Sequence, residues 1–388
     1  MKRKTGTYLV NESSGESIRC FIPHALPPSR PALKIEGELS ELLGQAESAL
    51  GRLRVAGKMV PDAEWFIYGF VRKEAVISSQ IEGTQATLED VLSFEVTQQS
   101  EKPEDAEEVC NYIDALNYAR KQLASKKGLP ISTRLLCGAH KRLMKGVRGA
   151  EKSPGNIRKS PNWIGGTRPG NAVYVPPPAN EVAGCLAALE KWIHSEESLP
   201  PLIRIGLAHV QFESIHPFLD GNGRIGRLLV TLLIEHWKLL DAPLLYVSLA
   251  LKQRQQEYYR LLSSVRSEGD WEGWLSFFLE AVRESAENGV QTAEALFSCV
   301  HDDRKRLLES SDATIYTVRL LDLLPGKPIV TAAIAAEELE ATKPSISKAI
   351  DVLEKAKILR ETTGKRRDRV YAYQKYLDIL TNGEVRKR

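Results

Sequence analysis

The sequence predicts a mainly α-helical protein that carries one β-hairpin and ends in a winged helix-turn-helix unit. Apolar residues recur at helical spacing over most of the chain up to about residue 290, for example within residues 63–81. A stretch rich in glycine and proline, residues 155–178, interrupts this pattern. A new series of short helical segments begins after residues 310–312. A chain of 388 residues is long enough for two or three domains.

The first 35 or so residues contain four prolines and no long periodic run, so we expect an extended arm on the surface. Helices are then expected at residues 36–50, 63–81, 104–125, 132–144, 181–195, 200–214 and 223–237, with one or two more over 252–288. Gly83, directly after Glu82, is typical of a helix stop.

Two later segments depart from this pattern. Paired glycines and the tetrapeptide RPGN precede the apolar residues 173–175 and three prolines, which predicts a β-hairpin. Short helices at 315–324, 332–339 and 343–356 then precede residues 358–373. In that last segment a glycine and a basic cluster separate two apolar pairs, as in the wing of a winged helix. The basic cluster comprises Lys365, Arg366, Arg367 and Arg369.

The composition argues against a membrane-spanning, secreted or disulfide-bonded protein. The net charge of +3 is too small to indicate a nucleic-acid binder, but from residue 351 onward eleven Lys/Arg residues outnumber six Asp/Glu residues. No apolar run approaches the roughly 18 residues that span a bilayer, and the N-terminus lacks the apolar segment of a signal peptide. Five scattered cysteines without a CxxC pair favour reduced thiols over disulfides or a zinc knuckle. We therefore expect a cytoplasmic protein with no membrane partner.

The segment HPFLDGNGRIGR, residues 216–227, has the chemistry of a phosphate-binding loop. Gly221 and Gly223 allow a tight turn into the helix that follows, whose N-terminus favours an anion. The loop also contains two arginines that can hold phosphates, a carboxylate that could bind Mg²⁺, an amide donor and a base that could accept a proton from a hydroxyl. These are Arg224 and Arg227, Asp220, Asn222 and His216. A solvated glycine-rich turn is the plainer alternative, and the spacing fits neither a Walker loop nor GxGxxG.

The twelve-residue segment resembles the Fic motif, HPFx[D/E]GNGRxxR, at every defined position. The resemblance implies transfer of AMP from ATP to Ser, Thr or Tyr hydroxyls of proteins. It implies that His216 is the base, that Asp220 binds Mg²⁺ and that Arg224 and Arg227 hold the β and γ phosphates. The related Doc branch phosphorylates its target and has lysine at the position of Gly223, so this glycine favours adenylylation.

Ser78-Ser79-Gln80-Ile81-Glu82-Gly83 resembles the inhibitory motif, [S/T]xxxE[G/N], of Fic proteins. A Glu at a helix C-terminus lies in an unfavourable field and gains from a cation, which Arg227 would supply by a bidentate pair. That pair would occupy the guanidinium that the γ-phosphate needs. A solvated Glu before a glycine cap is the alternative. The same Glu could instead orient a water molecule that removes AMP.

The remaining contacts with ATP and substrate are expected by resemblance. Residues 163–175 resemble the flap that pairs with the main chain of the target, although a plain surface hairpin is the alternative. Tyr258 and Tyr259 resemble aromatic residues near adenine, with core packing equally open for both. The residues expected to bind ATP are Glu82, His216, Gly221, Asn222, Gly223, Arg224, Ile225, Gly226, Arg227 and Tyr258.

Two groups of residues are better explained by packing. His209 and Glu213 lie four apart ahead of His216, which could suggest a metal site, but no second cluster supports one and His209 fits a hydrogen-bonded core residue better. Trp271, Trp274, Phe277 and Phe278 have helical spacing typical of a core.

The favoured interpretation is an adenylyltransferase that uses ATP and Mg²⁺ and is inhibited by Glu82. We divide it into an N-terminal arm and inhibitory helix region (1–100), a catalytic Fic domain (101–290) and a winged helix-turn-helix domain (305–388). The winged helix would present Ser345, Ser347 and Lys348 to DNA, although such units also bind proteins or form dimers. A homodimer is therefore one of the expected possibilities. The alternatives are a DNA-binding regulator with a nucleotide-sensing Fic domain, a de-AMPylase, or transfer of another phosphate-linked group.

Overall fold

The structure, a computed structural model, describes residues 3–13, 16–58, 63–99 and 102–381. Fifteen helices are assigned within these ranges: α1 (Glu38–Lys58), α2 (Ala63–Ile81), α3 (Leu88–Thr97), α4 (Pro103–Ala124), α5 (Thr133–Leu143), α6 (Ala179–Ile193), α7 (Pro201–Ile215), α8 (Asn222–His236), α9 (Ser248–Gln253), α10 (Gln255–Glu268), α11 (Trp271–Leu308), α12 (Ile315–Leu323), α13 (Ala332–Glu338), α14 (Lys343–Lys355) and α15 (Gln374–Thr381). The strands are β1 (Gly6–Ser13), β2 (Glu16–Pro23), β3 (Ile329–Thr331), β4 (Arg360–Glu361) and β5 (Val370–Ala372). The prediction of a mainly α-helical chain is confirmed.

Helices α7 and α8 form the centre of the protein. Every residue of α7 from Leu202 to Ile215 is buried, so other parts of the protein pack around this helix on all sides. Almost the whole of α8 is buried as well. Helix α11 packs against α7, where the indole N–H of Trp274 donates to the carbonyl of Gly206 at 2.9 Å. The four aromatic residues at the start of α11 are buried, which confirms the prediction that they are core.

The first residues form a hairpin rather than the predicted extended arm. β1 and β2 pair antiparallel from Gly6↔Pro23 to Ser13↔Glu16. Phe21 of β2 is buried, and its N–H donates to the carbonyl of Val175 at 2.9 Å. The prolines that suggested an arm stand at the end of β2 and beyond it, where their missing N–H groups leave the strand pairing intact. The hairpin therefore contacts the segment that was expected to dock the substrate.

Helix α11 is a single helix of 38 residues. Its first part packs in the core beside α7 and α9, and its last part contacts α12 and α15. The predicted break near residue 290 is absent from this helix because buried residues continue at helical spacing through Leu296, Val300 and Leu307. Helix α11 thus joins the central bundle to the C-terminal unit.

The C-terminal unit contains α12, α13 and α14 beside a three-stranded antiparallel sheet of order β3-β5-β4. The three helices begin at the residues predicted from the sequence. Side chains cap α13 and α14 at their first turns, since Thr331 accepts from the N–H of Ile334 and Thr342 from that of Ser345. Helix α15 packs against α2 and α11.

No helix within the described ranges is both long and apolar enough to cross a membrane. The five cysteines are free thiols, and Cys20 and Cys299 among them are buried.

Candidate active site

The segment from His216 to Gly221 connects the C-terminus of α7 to the N-terminus of α8. His216 ends α7 in a left-handed conformation with φ of 49°, and Gly221 precedes α8 with φ of 73°. The side chain of Asn222 closes the loop, because its oxygen accepts from the N–H of Phe218 and its nitrogen donates to the Phe218 carbonyl, both at 2.8 Å. The first N–H groups of α8 therefore face the loop, which suits an anion. Asn222 was predicted to donate to phosphate, and that role stays a prediction.

His216 lies where it can act as a base. Burial, followed by the nearby charge of Arg158, lowers the pKa of its imidazole to about 4. The imidazole is therefore neutral at physiological pH and able to accept a proton.

Arg227 contacts Glu82 as the inhibitory motif predicted, but through one nitrogen and one carboxylate oxygen rather than by the predicted bidentate pair. Its guanidinium donates to Ser78 through Nε at 2.8 Å to the hydroxyl and through one terminal nitrogen at 2.9 Å to the carbonyl. The same terminal nitrogen lies 2.7 Å from Oε1 of Glu82. Arg227 is 1% exposed and the Glu82 side chain 33% exposed. Burial alone would lower the pKa of Arg227, but Glu82 raises it well above its ordinary range, so the cation persists.

The backbone around Glu82 explains the glycines of both motifs. α2 ends at Ile81, and Gly83 follows with φ of +101°, a conformation that L side chains rarely adopt. A Cβ on Gly223 would lie 2.3 Å from Oε1 of Glu82, so the absence of a side chain there makes room for the carboxylate. A Cβ on Gly226 would lie 2.2 Å from Oε1 of Glu213. Ile225 is fully buried and packs in the core.

Arg224 is held by a residue that sequence reasoning missed. Its guanidinium hydrogen bonds to the carboxylate of Glu108 from α4, and both side chains are almost completely buried. A second terminal nitrogen lies 3.9 Å from Oδ1 of Asp220. Each arginine of the motif is thus paired with a carboxylate from a distant part of the chain. Because 116 residues separate Glu108 from Arg224 in sequence, no local pattern marks the pair.

Asp220 offers one carboxylate that a divalent cation could use as a ligand. Its side chain is 32% exposed, its Oδ1 accepts from the N–H of Gly221 at 2.7 Å, and its Oδ2 lies 2.9 Å from Nζ of Lys152. Burial alone would raise the pKa of Asp220, but these contacts lower it overall, so the carboxylate is ionised. A partly exposed, ionised carboxylate beside a helix N-terminus is the kind of group that could contribute an oxygen ligand to Mg²⁺.

Tyr258 lies in the core. It is 1% exposed, its ring packs against Trp274 and Phe277, and its hydroxyl lies 2.8 Å from Nε2 of His209. This geometry favours core packing, one of the two alternatives, and leaves Tyr259, at 45% exposure, as the accessible aromatic residue. Nδ1 of His209 lies 3.2 Å from the carbonyl of Gly226, which confirms His209 as a hydrogen-bonded packing residue.

The segment expected to dock the substrate forms one β-bridge, Ile164↔Tyr174, rather than an extended ladder. A short 3₁₀ turn, Pro169–Asn171, lies between these residues. Trp163 and Val173 are exposed. The hydroxyl of Tyr174 donates to the carbonyl of Ser214 at 2.6 Å, so the C-terminal end of the segment is fixed next to the end of α7.

Two further buried residues that sequence reasoning missed support the loop. Nε2 of His140 donates to the carbonyl of Asp220 at 3.0 Å while its Nδ1 accepts from Gly155 at 2.9 Å, and its ring stacks on Phe218 at 3.8 Å. Arg158 donates to the carbonyl of His216 at 2.8 Å. A lone histidine or arginine in a loop gives no sequence signal for such contacts.

Comparison with known proteins agrees with this geometry. The Fic/DOC family N-terminal region matches residues 40–121, and the Fic/DOC family domain matches residues 130–234. Protein adenylyltransferase Fic of Drosophila grimshawi is 29% identical over 212 residues, which are 53% of this chain and 40% of that protein. The counterpart of Drosophila yakuba is 28% identical over 53% of this chain and 39% of its own length. The chain thus spans about two fifths of the length of these curated relatives.

Two solved structures are similar in fold. A Fic family protein from Desulfovibrio desulfuricans superposes with a TM-score of 0.58 at 24% identity, over 88% of this chain and 97% of that chain. A Fic domain containing signaling protein from Bacteroides thetaiotaomicron superposes with a TM-score of 0.53 at 18% identity, over 64% of this chain and 97% of that chain. The adjoining matches to the family's two regions, together with this fold, lead to one conclusion: the chain is a member of the Fic/DOC family.

Proposed function

We propose that the protein is a protein adenylyltransferase, which moves AMP from ATP to a Ser, Thr or Tyr hydroxyl of a protein, including itself. The observation that carries this proposal is the loop between α7 and α8, where a neutral imidazole stands beside a helix N-terminus and two buried arginines. The name of the Drosophila relatives, protein adenylyltransferase, supports it.

In the proposed reaction, His216 accepts the proton of the target hydroxyl. The hydroxyl oxygen then forms a bond to the α-phosphorus of ATP, and the bond from that phosphorus to the bridging oxygen of the β-phosphate breaks, so pyrophosphate leaves. Arg224, Arg227 and the N–H groups at the start of α8 bind the phosphates and stabilise the charge that develops on the leaving group. Asp220 would hold Mg²⁺, which supplies charge neutralisation between the phosphates.

Glu82 would inhibit this reaction. Its carboxylate accepts a hydrogen bond from the guanidinium of Arg227, which would otherwise bind the γ-phosphate. ATP would then bind with its α-phosphate away from the attacking hydroxyl. The same carboxylate lies beside the loop, where it could also activate a water molecule for removal of AMP. The accessible segment 163–175 would dock the target by main-chain pairing, since Ile164 and Val173 are exposed at its bridge.

We also infer a second function, duplex DNA binding, for the C-terminal unit, residues 305–388, as a winged helix-turn-helix. The specific observation is that Ser347 and Lys348 on α14 are exposed, as are four basic residues between β4 and β5, Lys365, Arg366, Arg367 and Arg369. Titration of labelled duplex DNA at increasing salt tests this. The logarithm of the binding constant should depend less steeply on the logarithm of the salt concentration when Arg366 and Arg367 are replaced by Gln. Failure to bind duplex at low salt contradicts it.

The proposed chemistry is tested by comparing ATP labelled at the α-phosphate with ATP labelled at the γ-phosphate. Protein and lysate are incubated with Mg²⁺ and either nucleotide, using Glu82→Gly to release Arg227 and Glu82→Gly/His216→Ala as the matched control. Label from the α-position alone, lost in the double variant, is expected. Label from the γ-position would indicate phosphotransfer instead.

A further inference from the structure

Arg158 lies in the loop between α5 and the docking segment and is 2% exposed. Its Nε donates to the carbonyl of His216 at 2.8 Å. One terminal nitrogen donates to the carbonyl of Pro177 at 2.6 Å and lies 3.4 Å from that of Ile215. The main-chain N–H of Arg158 also donates to the carbonyl of Pro217 at 3.0 Å. Every hydrogen bond described for this side chain therefore goes to a main-chain carbonyl.

These carbonyls belong to two separate parts of the site. Those of Ile215, His216 and Pro217 are the end of α7 and the start of the phosphate loop, whereas Pro177 directly follows the docking segment 163–175. His216 has the left-handed φ of 49°, which is uncommon for a residue other than glycine and needs support from its surroundings. A planar guanidinium can hold several carbonyls in one fixed arrangement, which an ammonium group cannot.

The charge of Arg158 also acts on the imidazole. After burial, this guanidinium is the largest influence that lowers the pKa of His216, and Arg266 acts in the same direction. Glu82 and a hydrogen bond from the imidazole to the backbone of Glu213 act in the opposite direction. A cation at this place disfavours the imidazolium and keeps the base able to accept a proton.

We infer that Arg158 is a positioning residue, which holds the base His216 and ties it to the end of the segment that docks the target. This inference rests on the proposed function for its role in catalysis, whereas its effect on the imidazole does not depend on any activity. The two arms of the experiment below separate these cases.

The first arm measures the pKa of His216 directly. Histidine-labelled protein is titrated by NMR, and the His216 signal is assigned by its loss in His216→Gln. Replacing Arg158 with Met should raise the pKa of His216 by roughly one unit, as expected for loss of a nearby cation. Arg158→Lys, which keeps the charge, should leave it near the parent value. Arg134→Met, which removes an exposed arginine, is the matched control and should change nothing. An unchanged pKa in a folded Arg158→Met variant overturns the electrostatic part.

The second arm measures transfer of α-label from ATP in the Glu82→Gly background. Arg158→Lys keeps the charge but not the planar set of donors, so the target and base should lose alignment. We expect kcat to fall at least tenfold with the KM for ATP within about twofold of the parent, since small misplacements reduce rates strongly. Transfer at the parent rate would overturn the positioning role, and this variant suffices for the test if Arg158→Met fails to fold. If Glu82→Gly itself transfers no label, the proposed function fails while the titration still tests Arg158.

Discussion

Replacing Glu82 with Gly tests how strongly one carboxylate holds the site inactive. The substitution removes the single hydrogen bond of 2.7 Å between Oε1 of Glu82 and Arg227. The two hydrogen bonds from Arg227 to Ser78 remain, so the guanidinium should stay close to its present position. The variant should therefore keep the fold. The terminal nitrogen of Arg227 that contacts Glu82 should become available to the γ-phosphate.

The magnitude follows from the kind of bond. A hydrogen bond to a charged group contributes about 1.5–3 kcal/mol, and the partial exposure of the Glu82 side chain, 33%, places this one towards the lower end. Since about 1.4 kcal/mol corresponds to a factor of ten, the rate of AMP transfer should rise roughly 10- to 30-fold.

The assay is the initial rate of self-labelling from α-labelled ATP with Mg²⁺. Glu309→Gly is a matched control, because Glu309 is also a glutamate at a helix C-terminus but is exposed and far from the loop in sequence. The parent and this control should label at the same slow rate. Equal rates in Glu82→Gly and the parent, with both proteins folded, would refute inhibition through Arg227.

Three further predictions concern stability. Glu108→Gln leaves the buried guanidinium of Arg224 without its carboxylate and should lower the free energy of unfolding by about 3–5 kcal/mol in denaturant titration, whereas the exposed neighbour Glu107→Gln should change it little. Burial raises the pKa of Glu213 to about 7. The native protein therefore keeps a proton on this carboxyl that the unfolded chain, with a pKa of 4.5, has already released. The stability of the parent therefore falls as the pH rises between these two pKa values, whereas Glu213→Gln carries no titrating group there. The Tm of Glu213→Gln should rise relative to that of the parent between pH 5 and pH 8, and a constant difference in Tm would contradict this. Gly83→Ala forces a side chain into φ of +101° and should lower stability by about 1–2 kcal/mol in the same titration, unlike Gly44→Ala within α1, where the added Cβ meets nothing.

The elements that the sequence predicted well have strong local signals. The bounds of α2 and the starts of α12, α13 and α14 follow from apolar periodicity and from capping residues such as Thr342. The contact of Glu82 with Arg227 was also predicted, because both residues belong to motifs whose chemistry is complementary. Helix α3 was missed although Thr87 and Asp90 form a capping box that the sequence displays.

The supports of the loop could not be predicted in this way. Glu108, His140 and Arg158 lie in ordinary helical or loop sequence. Glu108 and His140 reach the site because α4 and α5 pack beside α8, and Arg158 because the loop after α5 returns to the end of α7. Tyr258 illustrates the same limit, since its helical spacing fits both a core residue and an adenine contact, and only tertiary packing separates the two.

AMP transfer by this loop is tested by the intact mass of Glu82→Gly after incubation with ATP and Mg²⁺, compared with Glu82→Gly/His216→Ala. The first protein should gain the mass of one or more AMP groups, fragmentation should locate them on hydroxyl side chains, and the double variant should gain none. A gain of phosphate instead, or equal modification of both proteins, would contradict the assignment of the loop as an AMP-transferring site with His216 as its base.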